Sequence, residues 1–314
     1  MQHLGQMSEP SLAETWEALA RAGAVAFVDD TLGTVAVGGA DRASWLNALL
    51  TCDVAQVSAR TAAYGVAVTK LGRILADVWI VSAGERLLVG LPRDRVAVLR
   101  EHFERYLVME DATHDDASAA YAWLHLHGGG AAEAARGAAA AHGGFAGEHD
   151  ATGLGGAVLV VAHDALGACL ATLAAQPGVR VGDAAAWDAL RVARKVPRFG
   201  VDFGTEHYPQ EAGLEKRAVS FQKGCYLGQE VVCRLEMRGH VTRRLVALAV
   251  EGSEAPALAS EIHDAEGHVV GSVSSATAAP ASGEAIALGM VRYAVSDAGT
   301  ALSVAGRSGR VLAS

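Results

Sequence analysis

The sequence predicts an α+β protein with an all-β domain at its C-terminal end, and three observations carry that prediction. Up to about residue 239, segments with a helical apolar period alternate with short runs rich in β-branched residues and bounded by glycine. Beyond residue 240 the period becomes two, with Val241, Arg243, Leu245 and Ala247 set against Thr242, Arg244, Val246, Leu248 and Val250. The third observation is size: 314 residues, 51% hydrophobic and 19% charged, suffice for about two globular domains, here 1–239 and 240–314.

Each element has a local reason. Ser11-Leu12-Ala13-Glu14 reads as a capping box and opens a helix that runs to Gly23, with Leu12, Trp16 and Leu19 on one face. Strands are expected at 25–28 and 34–37, then a helix from Asp41 carrying Trp45, Leu46, Leu49 and Leu50. Residues 64–69, 74–81 and 86–90 read as successive strands, with glycine turns at Gly72 and Gly84. Pro92 suits the first turn of a helix that keeps its period through Val96, Leu99, Phe103, Tyr106 and Leu107 to Val108. A strand follows at 121–127. Residues 127–156, dominated by alanine and glycine, read as a small helix within loose loops and hold little chemistry. A strand at 157–162 and a helix at 164–175 restart the order, and Asp183 caps a helix containing Trp187, Leu190 and Val192. A short helix ends near Gly239. In the tail, turns at Glu266-Gly267 and Ala281-Ser282-Gly283 separate strands that suit a small barrel.

The totals exclude several classes. A net charge of −9 argues against stable nucleic-acid binding, which rests on neutralising phosphates. Cys52, Cys169, Cys225 and Cys233 form no CxxC pair, so neither a disulfide framework nor a zinc or cluster cage is expected. Met1 to Gly5 lack the basic start of a secretory signal, and no apolar run reaches the roughly 18 residues of a membrane span. The expectation is a soluble cytoplasmic protein without membrane association. There is no HExxH helix, no P-loop, and no GxSxG elbow to accompany His127-Gly128-Gly129-Gly130. His125 and His127 share one face of a strand but lack a third ligand, and no metal site is assigned.

The densest chemistry lies in Lys223-Gly224-Cys225-Tyr226-Leu227-Gly228-Gln229-Glu230. Gly224 and Gly228 read as backbone-shaping residues. An ammonium that faces the thiol raises its thiolate fraction, so Lys223 and Cys225 form a candidate reactive pair. The alternative is a tight turn around a buried structural cysteine. Arg191, Arg194, Lys195 and Arg198 supply cations. On a continuous helix Arg191, Arg194 and Arg198 share a face that suits a carboxylate clamp, or alternatively a solvated surface.

This octapeptide resembles the signature of the YgfZ-type folate-binding proteins, relatives of the glycine-cleavage T-protein (aminomethyltransferase). The resemblance extends to Trp187-Asp188-Ala189-Leu190-Arg191, Pro197-Arg198-Phe199-Gly200, Tyr208-Pro209-Gln210-Glu211-Ala212 and Arg238-Gly239. Upstream it includes Gly39-Ala40-Asp41-Arg42, Thr51-Cys52-Asp53-Val54 and Lys70-Leu71-Gly72-Arg73, spanning about 25 to 295. It implies two interleaved α+β subdomains around a folate pocket, followed by a C-terminal barrel. It also implies tetrahydrofolate or a one-carbon derivative as cofactor, and iron–sulfur proteins, radical-SAM enzymes among them, as clients. Cys225 and Lys223 are then the working pair, with Tyr64, Asp77, Trp187, Arg191, Arg198, Tyr226, Gln229 and Glu230 as folate-binding candidates.

Three departures from the family pattern matter. Lys195 stands where the family usually has glycine, and Cys233 where it usually has alanine. T-proteins have two adjacent acids after their Gly-Gly turn and a glutamate in a Leu-Arg-Leu-Glu segment. Here only Asp77 survives in Gly72-Arg73-Ile74-Leu75-Ala76-Asp77, and Val192-Ala193 follows Leu190-Arg191. Fewer acids and an added thiol favour a folate-dependent accessory factor over an aminomethyl transferase.

Overall fold

In the computed structural model, residues 10–239, 241–279 and 283–313 are described. The expectations made for Met1 to Gly5 and for Ala281-Ser282 lie outside them. The chain opens with α1 (Leu12–Ala22), β1 (Ala24–Asp29), β2 (Leu32–Gly38) and α2 (Arg42–Leu49). It continues with β3 (Ala63–Val68), β4 (Ile74–Ala83), β5 (Arg86–Pro92), α3 (Val96–Glu104), β6 (Thr113–Asp116) and β7 (Tyr121–His127). Next come α4 (Ala131–His142), β8 (Phe145–Glu148), β9 (Gly156–Ala162), α5 (Leu166–Ala175), β10 (Val179–Gly182), α6 (Ala184–Ala193) and α7 (Gln229–Arg238). The tail holds β11 (Arg243–Glu251), β12 (Glu261–His263), β13 (Val269–Thr277), β14 (Glu284–Arg292), β15 (Ala301–Val304) and β16 (Arg307–Val311).

The expected capping box is present: the Ser11 amide donates to Glu14 Oε2 at 2.7 Å and the Glu14 amide to Ser11 Oγ at 3.2 Å. Two five-stranded sheets form, one in the order β10-β1-β7-β9-β8 and the other β3-β4-β5-β2-β6. They interleave in sequence, because β1 joins the first sheet and β2 the second, and β10 returns to pair parallel with β1. Alternation lets the central strands bury apolar residues on both faces. Ala76, Val78 and Ile80 of β4 pack under α2 and α3 with Trp45, Leu46, Leu99 and Phe103. Ala122, Leu124 and Leu126 of β7 pack under α4 and α5. The opposite faces meet through Leu32, Ala36, Val81, Leu88, Trp123, Val158 and Val160.

Trp123 is the pin between the sheets. A Cβ on Gly90 would lie 2.8 Å from the indole, so glycine there admits the ring, whose Nε1 donates to Thr34 Oγ1 at 2.8 Å.

The C-terminal strands close into a barrel, β11-β14-β13-β12-β15-β16, around Val246, Leu248, Ile262, Val273, Ala287 and Val304. Residues 185–197 belong to the same compact unit as this barrel, together with residues 10–18, and residues 19–184 and 198–239 belong to the other unit.

Three local expectations are corrected. Pro92 ends β5 and stands just before the helical turn Arg93–Arg95 that leads into α3, one position short of the first turn: with no amide to donate, it suits the end of a strand ladder. The helix behind it stops at Glu104, short of Val108. The 127–156 stretch is well formed, with α4 burying Ala131, Ala134, Ala135, Ala138 and Ala139 and β8 forming a sheet edge. Small side chains let that helix lie close to the sheet, which a reading by composition treats as low complexity.

Candidate functional site

Strand alternation that buries Ala76 and Val78 on one face of β4 places Asp77 and Trp79 on the other, between the sheets. On β3, Tyr64 pairs across to Trp79, and its hydroxyl donates to Asp77 Oδ2 at 3.0 Å. The facing sheet supplies His125 and Asp29, because β7 turns Trp123, His125 and His127 inward while Leu124 and Leu126 face α4. His149 enters from the end of β8. There Glu148 bonds to the backbone of Arg60 and Ala62 and ties the edge of one sheet to the start of β3.

The result is an aromatic recess. Trp79 lies 4.5 Å from Tyr64, 4.6 Å from His125 and 5.0 Å from His149 between ring centroids, the last edge-on. Tyr64, Asp77 and Trp79 remain partly exposed. Burial raises the Asp77 pKa to about 7, against the Tyr64 hydrogen bond, and Asp29 pushes it further up while the Arg198 guanidinium draws it down. Burial lowers His149 to about 4, with His125 and Arg217 adding to the effect, and it holds His125 down as well. Arg217 is exposed, donates to the Ala151 carbonyl at 2.7 Å, and acts electrostatically on both Tyr64 and His149. The recess therefore offers aromatic walls, neutral imidazoles, one carboxyl titrating near neutrality, and guanidinium charge from Arg198 and Arg217.

The signature forms the lead-in to α7. Gly228 sits in the left-handed region at φ 78°, and a Cβ there would meet the Thr69 carbonyl at 2.5 Å, so its shaping role has a physical basis. Gly224 has neither feature, and its assigned shaping role is withdrawn: nothing lies within 4 Å of an added Cβ. Gln229 reaches back to accept from the Tyr226 amide at 3.3 Å, Tyr226 is buried, and Glu230 is exposed.

Lys223 does not serve the thiol in the way expected. Its ammonium donates to the carbonyls of Asn47, Leu50 and Cys52 at 2.5, 2.8 and 2.7 Å. The Asn47 and Leu50 carbonyls lie at the end of α2 and the Cys52 carbonyl in the turn beyond it, so Lys223 caps the C-terminus of that helix with favourable dipole charge. Burial brings its pKa down to about 8, and its charge acts on Cys52 and Asp53. Cys52 is buried, with its thiol pushed up to about 12. Cys225 is exposed and free.

The arginine clamp is also corrected. Helix α6 ends at Ala193, so Arg194 and Arg198 do not continue the face that Arg191 begins. Arg191 is 1% exposed and packs within the barrel unit, donating to Asp188 Oδ1, to the Val196 carbonyl and to Ser275 Oγ at 2.7, 3.3 and 2.8 Å. Arg194 pairs with Glu17 at 3.2 Å. Trp187 lies on α6 in that same unit, whereas Tyr64, Asp77 and Arg198 come together in the other. The sequence reading missed Trp79, His149 and Arg217, and considered His125 only as a metal ligand. The alternation of β4 could have flagged Trp79. Nothing local marks His149, which reaches the site through the edge-strand junction. The described residues hold one group of three acid or histidine ligands, Asp264, Glu266 and His268, on a largely exposed turn of the barrel unit.

Comparison with known proteins places the fold in the T-protein class. The solved glycine-cleavage aminomethyltransferase T of Bartonella henselae matches with a TM-score of 0.79 over 96% of this chain and 88% of that one, at 19% identity. Residues 243–314 match the glycine cleavage T-protein C-terminal barrel domain. The tRNA-modifying protein YgfZ of Vibrio vulnificus is 28% identical over 227 residues, 70% of this chain and 68% of that protein. A second match to that protein from another strain is 38% identical but covers 29% of its length. The aminomethyltransferase of Cutibacterium acnes is 36% identical over 119 residues, 37% of this chain and 31% of that one. The chain is a YgfZ-type relative of the aminomethyltransferases. No helix among the described residues is long and apolar enough to cross a membrane.

Proposed function

We propose that the protein is a cytoplasmic, tetrahydrofolate-binding accessory factor for the assembly or repair of iron–sulfur clusters in client enzymes, and that Cys225 is its working thiol. The observation that carries the reading is the Tyr64–Asp77 pair set in the Trp79–His125–His149 recess. A flat pterin needs an aromatic slot, a carboxyl to receive its N–H groups, and cations for its carboxylate tail. Asp77 meets the second need, and Arg198 and Arg217 the third. When bound, tetrahydrofolate supplies a reduced one-carbon carrier. Tyr64 fixes the Asp77 carboxyl for that ligand.

The exposure of Cys225 supports contact with a client. A lone thiolate does not hold a stable cluster, which takes four, so its role is transient. The name of the YgfZ relatives points to tRNA modification, and cluster-bearing radical-SAM enzymes of that process are the clients we favour. With a charge of −9, the protein meets the enzyme rather than the RNA.

The competing reading is aminomethyl transfer, favoured by the similarity to aminomethyltransferases and weakened by the missing acids. Calorimetry with tetrahydrofolate on the wild type, Asp77→Asn and Cys225→Ala, alongside cluster-enzyme activity in a complemented deletion strain, separates the two. Accessory function predicts folate binding by wild type and Cys225→Ala, and complementation lost in Cys225→Ala at normal protein level. Folate turnover with an aminomethyl donor that survives Cys225→Ala establishes the transferase instead.

A further inference from the structure

His125 is 6% exposed, and its Nε2 has no hydrogen-bond partner. Asp29 Oδ2 stands 3.8 Å away, beyond hydrogen-bond range. The other Asp29 oxygen accepts from the amide and hydroxyl of Thr31 at 3.1 and 2.5 Å. A buried polar group without a partner is costly, and such groups in native proteins have an explanation. Here the surroundings supply one. The imidazole packs 4.6 Å from the Trp79 ring, the wall shared with Tyr64 and His149, and it comes from the sheet facing the one that carries Asp77. The Asp29 carboxylate beside Nε2 favours the tautomer with the proton on that nitrogen. Burial keeps the ring neutral.

We propose that His125 is a ligand-contacting residue whose Nε2–H donates to a carbonyl or ring-nitrogen acceptor of the bound heterocycle, while Asp77 on the opposite sheet receives the ligand's N–H donors. The site then selects flat heterocycles that carry donors on one edge and an acceptor on another, as a 2-amino-4-oxo ring does. The ligand is gripped from both sheets. This inference rests on the folate reading and assigns a second anchor within it.

The test is calorimetric titration of tetrahydrofolate into wild type, His125→Phe and His125→Gln, with melting curves of the ligand-free proteins. Phenylalanine keeps a ring against Trp79 but has no donor, and glutamine restores an N–H. The expected result is binding about tenfold weaker in His125→Phe, the worth of one hydrogen bond, with most of the loss recovered in His125→Gln. His125→Phe should melt no lower than wild type, since it removes an unpartnered nitrogen. Wild-type affinity in His125→Phe overturns the proposal, as does a lowered melting point with unchanged affinity, which marks a packing role only. If His125→Phe does not fold, His125→Leu is read by the same criterion. Absence of binding by the wild type overturns the folate reading itself, and this assignment with it.

Discussion

At the scale of single residues, burial determines what each charged group does. Asp77 is an acid whose folded pKa, about 7, exceeds its ordinary value of 3.8. The folded state binds its proton more tightly, so its contribution to stability is greatest at low pH and falls as pH rises from about 4 through 7. Asp77→Asn, which keeps an acceptor for Tyr64, should therefore raise the melting temperature more at pH 8 than at pH 5. The gain at pH 8 should be on the order of 2 kcal/mol, allowing for partial solvent screening. Denaturant titrations at both pH values check this, and a gain independent of pH would remove Asp77 as its source. The two residues paired in the sequence reading part company in the same kind of measurement. Lys223→Met strands three carbonyls, at the end of α2 and in the turn after it, and should cost about 3 kcal/mol. Cys225→Ala, on an exposed side chain, should change stability by less than about 0.5 kcal/mol. Equal losses in urea melts would show that the thiol is structural after all.

At the scale of elements, α6 ends in a Schellman motif. The Val196 amide donates to the Arg191 carbonyl at 2.7 Å, and the Lys195 amide to that of Val192 at 3.0 Å. Lys195 takes φ 56° there, the left-handed conformation that glycine adopts without penalty. The departure from the family pattern at this position thus preserves the backbone at some strain. Its ammonium also reaches the Ala313 carbonyl at 2.6 Å, an exposed contact. Lys195→Gly should raise stability by up to about 1 kcal/mol, because relief of the left-handed strain outweighs a solvent-exposed bond. A lower melting temperature for this variant would mean that the contact with Ala313 matters more.

At the scale of the whole molecule, residues 185–197 depend on the barrel: Val192 packs with Leu245 and Leu288, and Arg191 bonds to Ser275. A fragment ending at residue 239, the domain boundary read from the sequence, removes those partners while retaining α6. It should lose helical content, because α6 loses the apolar partners of Val192 and the Ser275 acceptor of Arg191. Circular dichroism and protease sensitivity around 185–197 check this. An intact, protected α6 in the fragment would make 1–239 an independent folding unit.

The sequence by itself determined the α+β order, the all-β tail, the α1 capping box and the need for glycine at 228. Each follows from apolar period, local hydrogen bonding or a match of adjacent residues, all of which are short-range. Tertiary structure decided what needs distant partners. It assigned Lys223 to the end of α2 and Arg191 to the barrel, and it brought His149 and His125 against Trp79 from strands far apart in the chain. A side chain's charge and type are written locally. Which carbonyl, carboxylate or ring it meets depends on how two interleaved sheets pack, and that decides whether it caps a helix or lines a site.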